Sequence, residues 1–228
     1  MVPVSAPPRV RALLCSAPAG PVPVLHRGPH AMYVEVAGRC VGVVARGATA
    51  VPCALRAGTD VLPDGSAHLR AGVLHVGDQP FVVGRIVDVR VPRLSASSTT
   101  TGSEDTDPIT PATVRDLVGR GAGLTPLGDD LLCGWLVLQR AAGVATPEVD
   151  AAVRDCLDRT TLLSATLLGC ALAGEVIPEF AGWVRALGTV DESARETDLV
   201  AVGHTSGAGL LRGARTALAD LDRHRVAA

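Results

Sequence analysis

The spacing of hydrophobic positions changes period once along this chain, and the change divides it. Up to about residue 93, apolar and polar residues alternate in short runs. Met32-Tyr33-Val34-Glu35-Val36 and Cys40-Val41-Gly42-Val43-Val44 flank Gly38-Arg39, which is a hairpin pattern. Leu74-His75-Val76 and Phe81-Val82-Val83 flank Gly77-Asp78-Gln79-Pro80 in the same way, and Val87-Asp88-Val89-Arg90-Val91 alternates as a further strand should. Short strands punctuated by Gly and Pro predict a small barrel or sandwich. Residues 94–108 carry no period and are rich in Ser, Thr and acids, which predicts a flexible polar linker. Beyond them the period becomes helical. Helices are expected near 111–119, 128–142, 147–158, 160–174, 177–187, 191–201 and 207–223. The predicted fold class is therefore α+β: an N-terminal small β-barrel or sandwich-like domain (1–93), the linker (94–108), and an all-helical C-terminal domain (109–228).

Thr-Pro recurs at 110–111, 125–126 and 146–147, each time before a helical stretch. A hydroxyl at the N-cap with proline at the first helical position explains all three, so Thr125-Pro126 carries no chemistry by itself.

Composition narrows the function classes. Hydrophobic residues make up 47% and aromatics only 2%, so the core must be built of Val, Leu and Ala. A net charge of −2 gives no footprint for nucleic acid or a membrane surface. The uncharged stretch from 160 to 174 falls short of the roughly 20 apolar residues that span a bilayer. Arg9 and Arg11 precede Ala12-Leu13-Leu14-Cys15, but prolines crowd that region and no export-type apolar segment follows. A soluble, cytoplasmic protein is expected. All 21 basic residues are arginine. Schiff-base chemistry, a Walker-type phosphate loop and a lysine base are thereby excluded, leaving anion recognition to arginine forks and backbone N–H groups. The six cysteines (15, 40, 53, 133, 156, 170) form no C-x-x-C pair, and Cys133, Cys156 and Cys170 read as small buried residues. His26, His30, His68 and His75 show no metal-ligand spacing.

Two phrases carry the candidate chemistry. The first is Gly121-Ala122-Gly123-Leu124-Thr125-Pro126-Leu127-Gly128-Asp129-Asp130. A bare phosphate at this helix start would meet two carboxylates, costing roughly 4 kcal/mol per pair in a partly desolvated site. Either the aspartates occupy the anion site themselves, or a divalent cation such as Mg²⁺ on Asp129 and Asp130 bridges them to the ligand. Gly134, one turn beyond Asp130, is expected to leave room beside that carboxylate. The second phrase is Gly203-His204-Thr205-Ser206-Gly207, in which His204 is the candidate acid/base and Thr205 or Ser206 an alternative N-cap. A third polar cluster, Thr160, Thr161 and Ser164, is expected to bond back to its own helix backbone.

Read together, Gly121-x-Gly123-Leu124-Thr125-Pro126-x-Gly128-Asp129-Asp130-x-Leu132-x-Gly134, then Gly203-His204-Thr205-Ser206-Gly207 and Gly213, resemble the signature of a bacterial family. That family includes a subunit of oxamate carbamoyltransferase from anaerobic allantoin degradation. The resemblance reaches weakly into the β half, over 22–36 and 77–91. It implies a multi-subunit enzyme moving a carbamoyl group between oxamate and phosphate, with acyl-CoA-synthetase-like partner subunits. It further implies His204 and Asp130 as catalytic residues, with Mg²⁺ on Asp129 or Asp130. Gly121, Gly123, Thr125, Gly128, Gly203, Thr205, Ser206 and Gly207 would bind a carbamoyl phosphate- or oxamate-like substrate. A looser similarity, to the helical ATP-binding domain of dihydroxyacetone kinases, keeps the alternative of a Mg²⁺–nucleotide-dependent phosphotransferase open, alongside a non-catalytic scaffold or binding subunit.

Overall fold

The computed structural model describes residues 1–94 and 107–226, so the predicted linker lies outside the described residues except at its ends. The chain divides into two compact units, Met1–Val89 and Arg90–Ala228. The predicted α+β arrangement is what the structure has: a curled nine-stranded sheet, then helices.

The first unit runs β1 (Val2–Ala6), α1 (Pro8–Ser16), β2 (Gly20–Val22), β3 (Val24–Arg27), β4 (Ala31–Val36), β5 (Arg39–Val44), β6 (Ala54–Ala57), β7 (Ala67–Arg70), β8 (Val73–Val76) and β9 (Gln79–Ile86). The order across the sheet is β2-β7-β8-β9-β1-β6-β5-β4-β3. Its two edge strands, β2 and β3, are consecutive in the chain on either side of Pro23. A sheet whose edges are tied together must curl, and this one is nearly closed, which removes the hazard of exposed edges. Residues that alternate inward, among them Val34, Val36, Leu69, Leu74 and Phe81, fill the interior.

Both expected hairpins form, β4–β5 and β8–β9. A third, β7–β8, turns at Ala71-Gly72. Two corrections apply. The segment Pro8–Ser16, read as part of an all-β region, is α1, with Pro8 in its first turn and Val10 and Leu14 buried in the sheet's core. Prolines on both sides hid a nine-residue amphipathic helix. Residues 87–91 are not a ladder strand: β9 ends at Ile86, and beyond it the described residues show an isolated bridge, Arg90 with Glu175.

The second unit comprises α2 (Pro111–Leu117), α3 (Leu127–Ala141), α4 (Pro147–Asp155), a 3-10 turn (Leu157–Arg159), α5 (Leu162–Leu172), α6 (Pro178–Ala186), α7 (Glu192–Val200) and α8 (Ser206–Val226). Each falls where the helical period placed it. All of α3 except Leu127 and Arg140 is buried, so it forms the axis of the unit. Only the first Thr-Pro pair caps as expected: the Thr110 hydroxyl accepts from Thr113 N–H. Thr146 makes no cap bond and donates instead to Asp150 Oδ1 at 2.7 Å. At α3 the N-cap is Pro126 itself, one residue past Thr125, whose hydroxyl is thus left for other work. Cys133, Cys156 and Cys170 are buried and outside any disulfide, as expected.

Candidate functional site

The loop leading into α3 is shaped by glycine. Gly121 has φ +129°, and a Cβ there would stand 2.7 Å from Leu127 N. No L side chain fits that turn. It delivers two successive aspartates to the first turn of α3, and successive helical residues point about 100° apart. The two carboxyls consequently have different neighbours.

Asp129 is fully buried and turned into the fold. It accepts from Gly119 N–H at 2.8 Å, Thr160 Oγ1 at 2.5 Å and Ser164 Oγ at 2.6 Å. Its carboxylate thus takes up a backbone N–H just past the end of α2. The hydroxyls of Thr160 and Ser164 therefore serve Asp129 and not their own helix backbone, which corrects the expectation for those two residues. Thr161 caps α5 by accepting from Ser164 N–H and donates to Leu124 O at 2.6 Å. The first glycine phrase and the Thr160–Ser164 cluster, separate in sequence, are thus tied together.

Asp130 faces α8. It is 5% exposed, and its Oδ2 is buried without a hydrogen-bond partner among the described residues. Burial pushes its carboxyl up from 3.8 to about 7, and the neighbouring Asp129 adds to the rise, while the hydroxyls of Ser206 and Thr125 oppose it. Those two hydroxyls lie 2.9 Å apart, one from each glycine phrase. The two phrases therefore meet at Asp130.

The meeting is made possible by missing side chains. A Cβ on Gly209 would lie 2.8 Å from Asp130 Cβ, and one on Gly213 would lie 1.9 Å from Leu131 O. Gly134 answers from the other helix, where a Cβ would reach 2.0 Å from Leu210 O. The space beside Asp130 expected from Gly134 is accordingly filled by α8 backbone. Sequence reading missed Gly209 and the helix-packing role of Gly213. Their i, i+4 spacing, which puts both on one helix face, was the available signal.

The other expected site residues separate into two groups. Gly121, Gly123, Gly203, His204 and Thr205 are exposed in the two loops. Gly128 and Gly207 are buried at close backbone approaches, where a Cβ would meet Leu117 O at 2.1 Å and Leu199 O at 1.9 Å. These two glycines serve packing. Among the described residues no group of three or more His, Cys, Asp or Glu side chains is placed to hold a metal ion.

Fold and site together define a class: a curled β unit followed in the chain by a helical unit whose glycine phrases enclose a buried carboxyl of near-neutral pKa. Residues 117–218 match the model of the family described as oxamate carbamoyltransferase subunit AllH. That stretch runs from the end of α2 into α8, so it takes in both phrases and the Thr160–Ser164 cluster. No curated protein and no solved structure matches the chain.

Proposed function

We propose that this chain is a subunit of an oxamate carbamoyltransferase-like complex in purine, allantoin or related nitrogen catabolism. In this reading its helical unit handles the carbamoyl group or its acceptor. The family match over 117–218 supports the transferase reading. The observation that carries the chemistry is Asp130, whose carboxyl sits near neutrality with Oδ2 unpartnered. A carboxyl with a pKa of about 7 both accepts and returns a proton at neutral pH.

Carbamoyl transfer onto oxamate joins the acceptor amide nitrogen to the carbamoyl carbon and breaks that carbon's bond to phosphate oxygen. The nitrogen must lose a proton, and Asp130 is the group assigned to take it. Thr125 and Ser206 position that carboxyl, while Asp129 holds the start of α3 in place. His204, exposed in the second loop, is the second proton carrier. The backbone of Gly121, Gly123, Gly203 and Thr205 is the binding surface for substrate.

The residues present fit Mg²⁺ only in one way. Asp129 already accepts three hydrogen bonds, so Mg²⁺ would fall to the Oδ2 of Asp130, which is buried and unpartnered among the described residues. Mg²⁺ commonly takes one or two carboxylates together with waters and substrate phosphate, and there it would neutralise phosphate charge. Acyl-CoA-synthetase-like chains are the proposed partners.

The test is purification of the tagged chain with its partners, followed by carbamoyl phosphate- and oxamate-dependent turnover. Asp130→Asn is expected to lower turnover by about 10²–10⁴-fold with the complex intact. Full turnover in that variant, or purification of the chain without any partner, would sink the reading.

A further inference from the structure

The β7–β8 hairpin brings together two histidines that chain spacing gave no reason to pair. His68 and His75 stand directly opposite each other across the antiparallel strands, with the Ala71-Gly72 turn between them. Their neighbours Ala67, Leu69, Leu74 and Val76 belong to the sheet's interior cluster, so the two histidines take the alternate, outward face. On that face His68 is in register with Pro21 of β2, and His75 with Pro80 of β9. A row of rings, Pro21, His68, His75 and Pro80, thus crosses four strands.

The two imidazoles stack, with centroids 4.7 Å apart and planes inclined by 20°. Both are half-buried and retain access to solvent. An uncharged imidazole offers one lone pair, and imidazole is the commonest metal ligand among side chains. Two nitrogens held at about 2.0–2.1 Å by one tetrahedral ion stand roughly 3.3 Å apart. The ring separation exceeds that only slightly, and an imidazole is small enough that its nitrogens stay close to its centroid. Rotation about the soft second side-chain torsion of each ring brings a nitrogen to a shared point without moving the strands.

We propose that His68 and His75 form a two-histidine site for a divalent transition ion of the Zn²⁺, Ni²⁺ and Cu²⁺ class, with water completing the coordination. The donor set selects the class. Both ligands are nitrogen, which suits these ions, whereas Mg²⁺ and Ca²⁺ require oxygen and the row supplies no carboxylate. The flanking proline rings bring no competing donor of their own. Arg70 lies two residues along β7 on the same face, but it is exposed, so solvent screens its repulsion of a bound cation. The site belongs to the β unit and does not draw on the chemistry at Asp130.

The test is a Zn²⁺ titration of the full chain at neutral pH, followed by NMR of the imidazole nitrogens. The chain has six histidines, and His68→Asn and His75→Asn assign the two signals. Cys15 is an exposed thiol, so all samples carry Cys15→Ser to remove a competing ligand. Both rings are expected to respond to Zn²⁺ along one saturation curve, and Mg²⁺ at the same concentrations should leave them unmoved. Loss of either histidine should weaken Zn²⁺ binding at the other by at least about tenfold, since chelation is gone. A smaller loss overturns the proposal and leaves each ring an independent surface ligand. Separate curves for the two rings, an equal response to Mg²⁺, or a Zn²⁺ response confined to other histidines overturns it as well. Should a variant not fold, the common curve on the chain with both histidines decides.

Discussion

Asp129 and Asp130 are chemically identical neighbours with different environments, and each makes its own prediction. Asp129 is buried with three donors aimed at it. Asp129→Ala strands those donors and is expected to cost about 3–5 kcal/mol, read as a lowered denaturant midpoint. Asp130 is held in the fold at a pKa raised from 3.8 to about 7. A carboxyl raised in this way opposes folding once it ionises. Below about pH 4 it is protonated both folded and unfolded, and stability is lost as pH climbs from there to about 7. Above that the penalty is constant, on the order of 4 kcal/mol as an upper bound. Asp130→Asn should therefore melt no lower than the parent chain at pH 8, and relatively lower at pH 4. A melting point lowered equally at both pH values would assign Asp130 a packing role. On the proposed function, the same titration should give turnover of the complex a rise through pH 7 that the variant lacks.

Among elements, the α3–α8 pair governs the site. Helix axes usually stand 8–10 Å apart, and glycine at the crossing brings the backbones closer. Gly134→Ala places a methyl 2.0 Å from Leu210 O and forces α8 away. An expected loss of about 1–3 kcal/mol or more should come with exposure of Asp130, visible as a carboxyl pKa falling toward its ordinary range. In the β unit, Ala37 and Ala71 adopt φ +48° in two-residue turns. Asn or Gly suits such turns better, and Ala37→Asn should raise stability by about 0.5–1 kcal/mol in a denaturant titration.

At the scale of the whole molecule, each unit has its own buried cluster, the sheet interior in one and the surround of α3 in the other. The helical unit produced alone, from residue 107 onward, is expected to melt cooperatively and to keep the Asp130 titration. A non-cooperative melt would show that it depends on the β unit. No described helix is long and apolar enough to cross a membrane.

Much of this was legible in the residues. The α+β order and the seven described helices of the second unit followed from the change of hydrophobic period, because burying one face of an element imposes its repeat on the sequence. The two glycine phrases were visible as well, since positive φ and close backbone approach demand glycine. What periodicity could not carry was anything fixed between distant elements. The helical turn of Leu14 and Val10 was masked by flanking prolines, and its place inside the sheet depended on the curl. Thr160 and Ser164 were readable as hydroxyls, but not as donors to Asp129, thirty-odd residues away. The contrast between two adjacent aspartates was decided only when α8 closed over one and α5 turned its hydroxyls to the other. A carboxyl's pKa depends on what surrounds it in space, and adjacency along the chain leaves that undetermined.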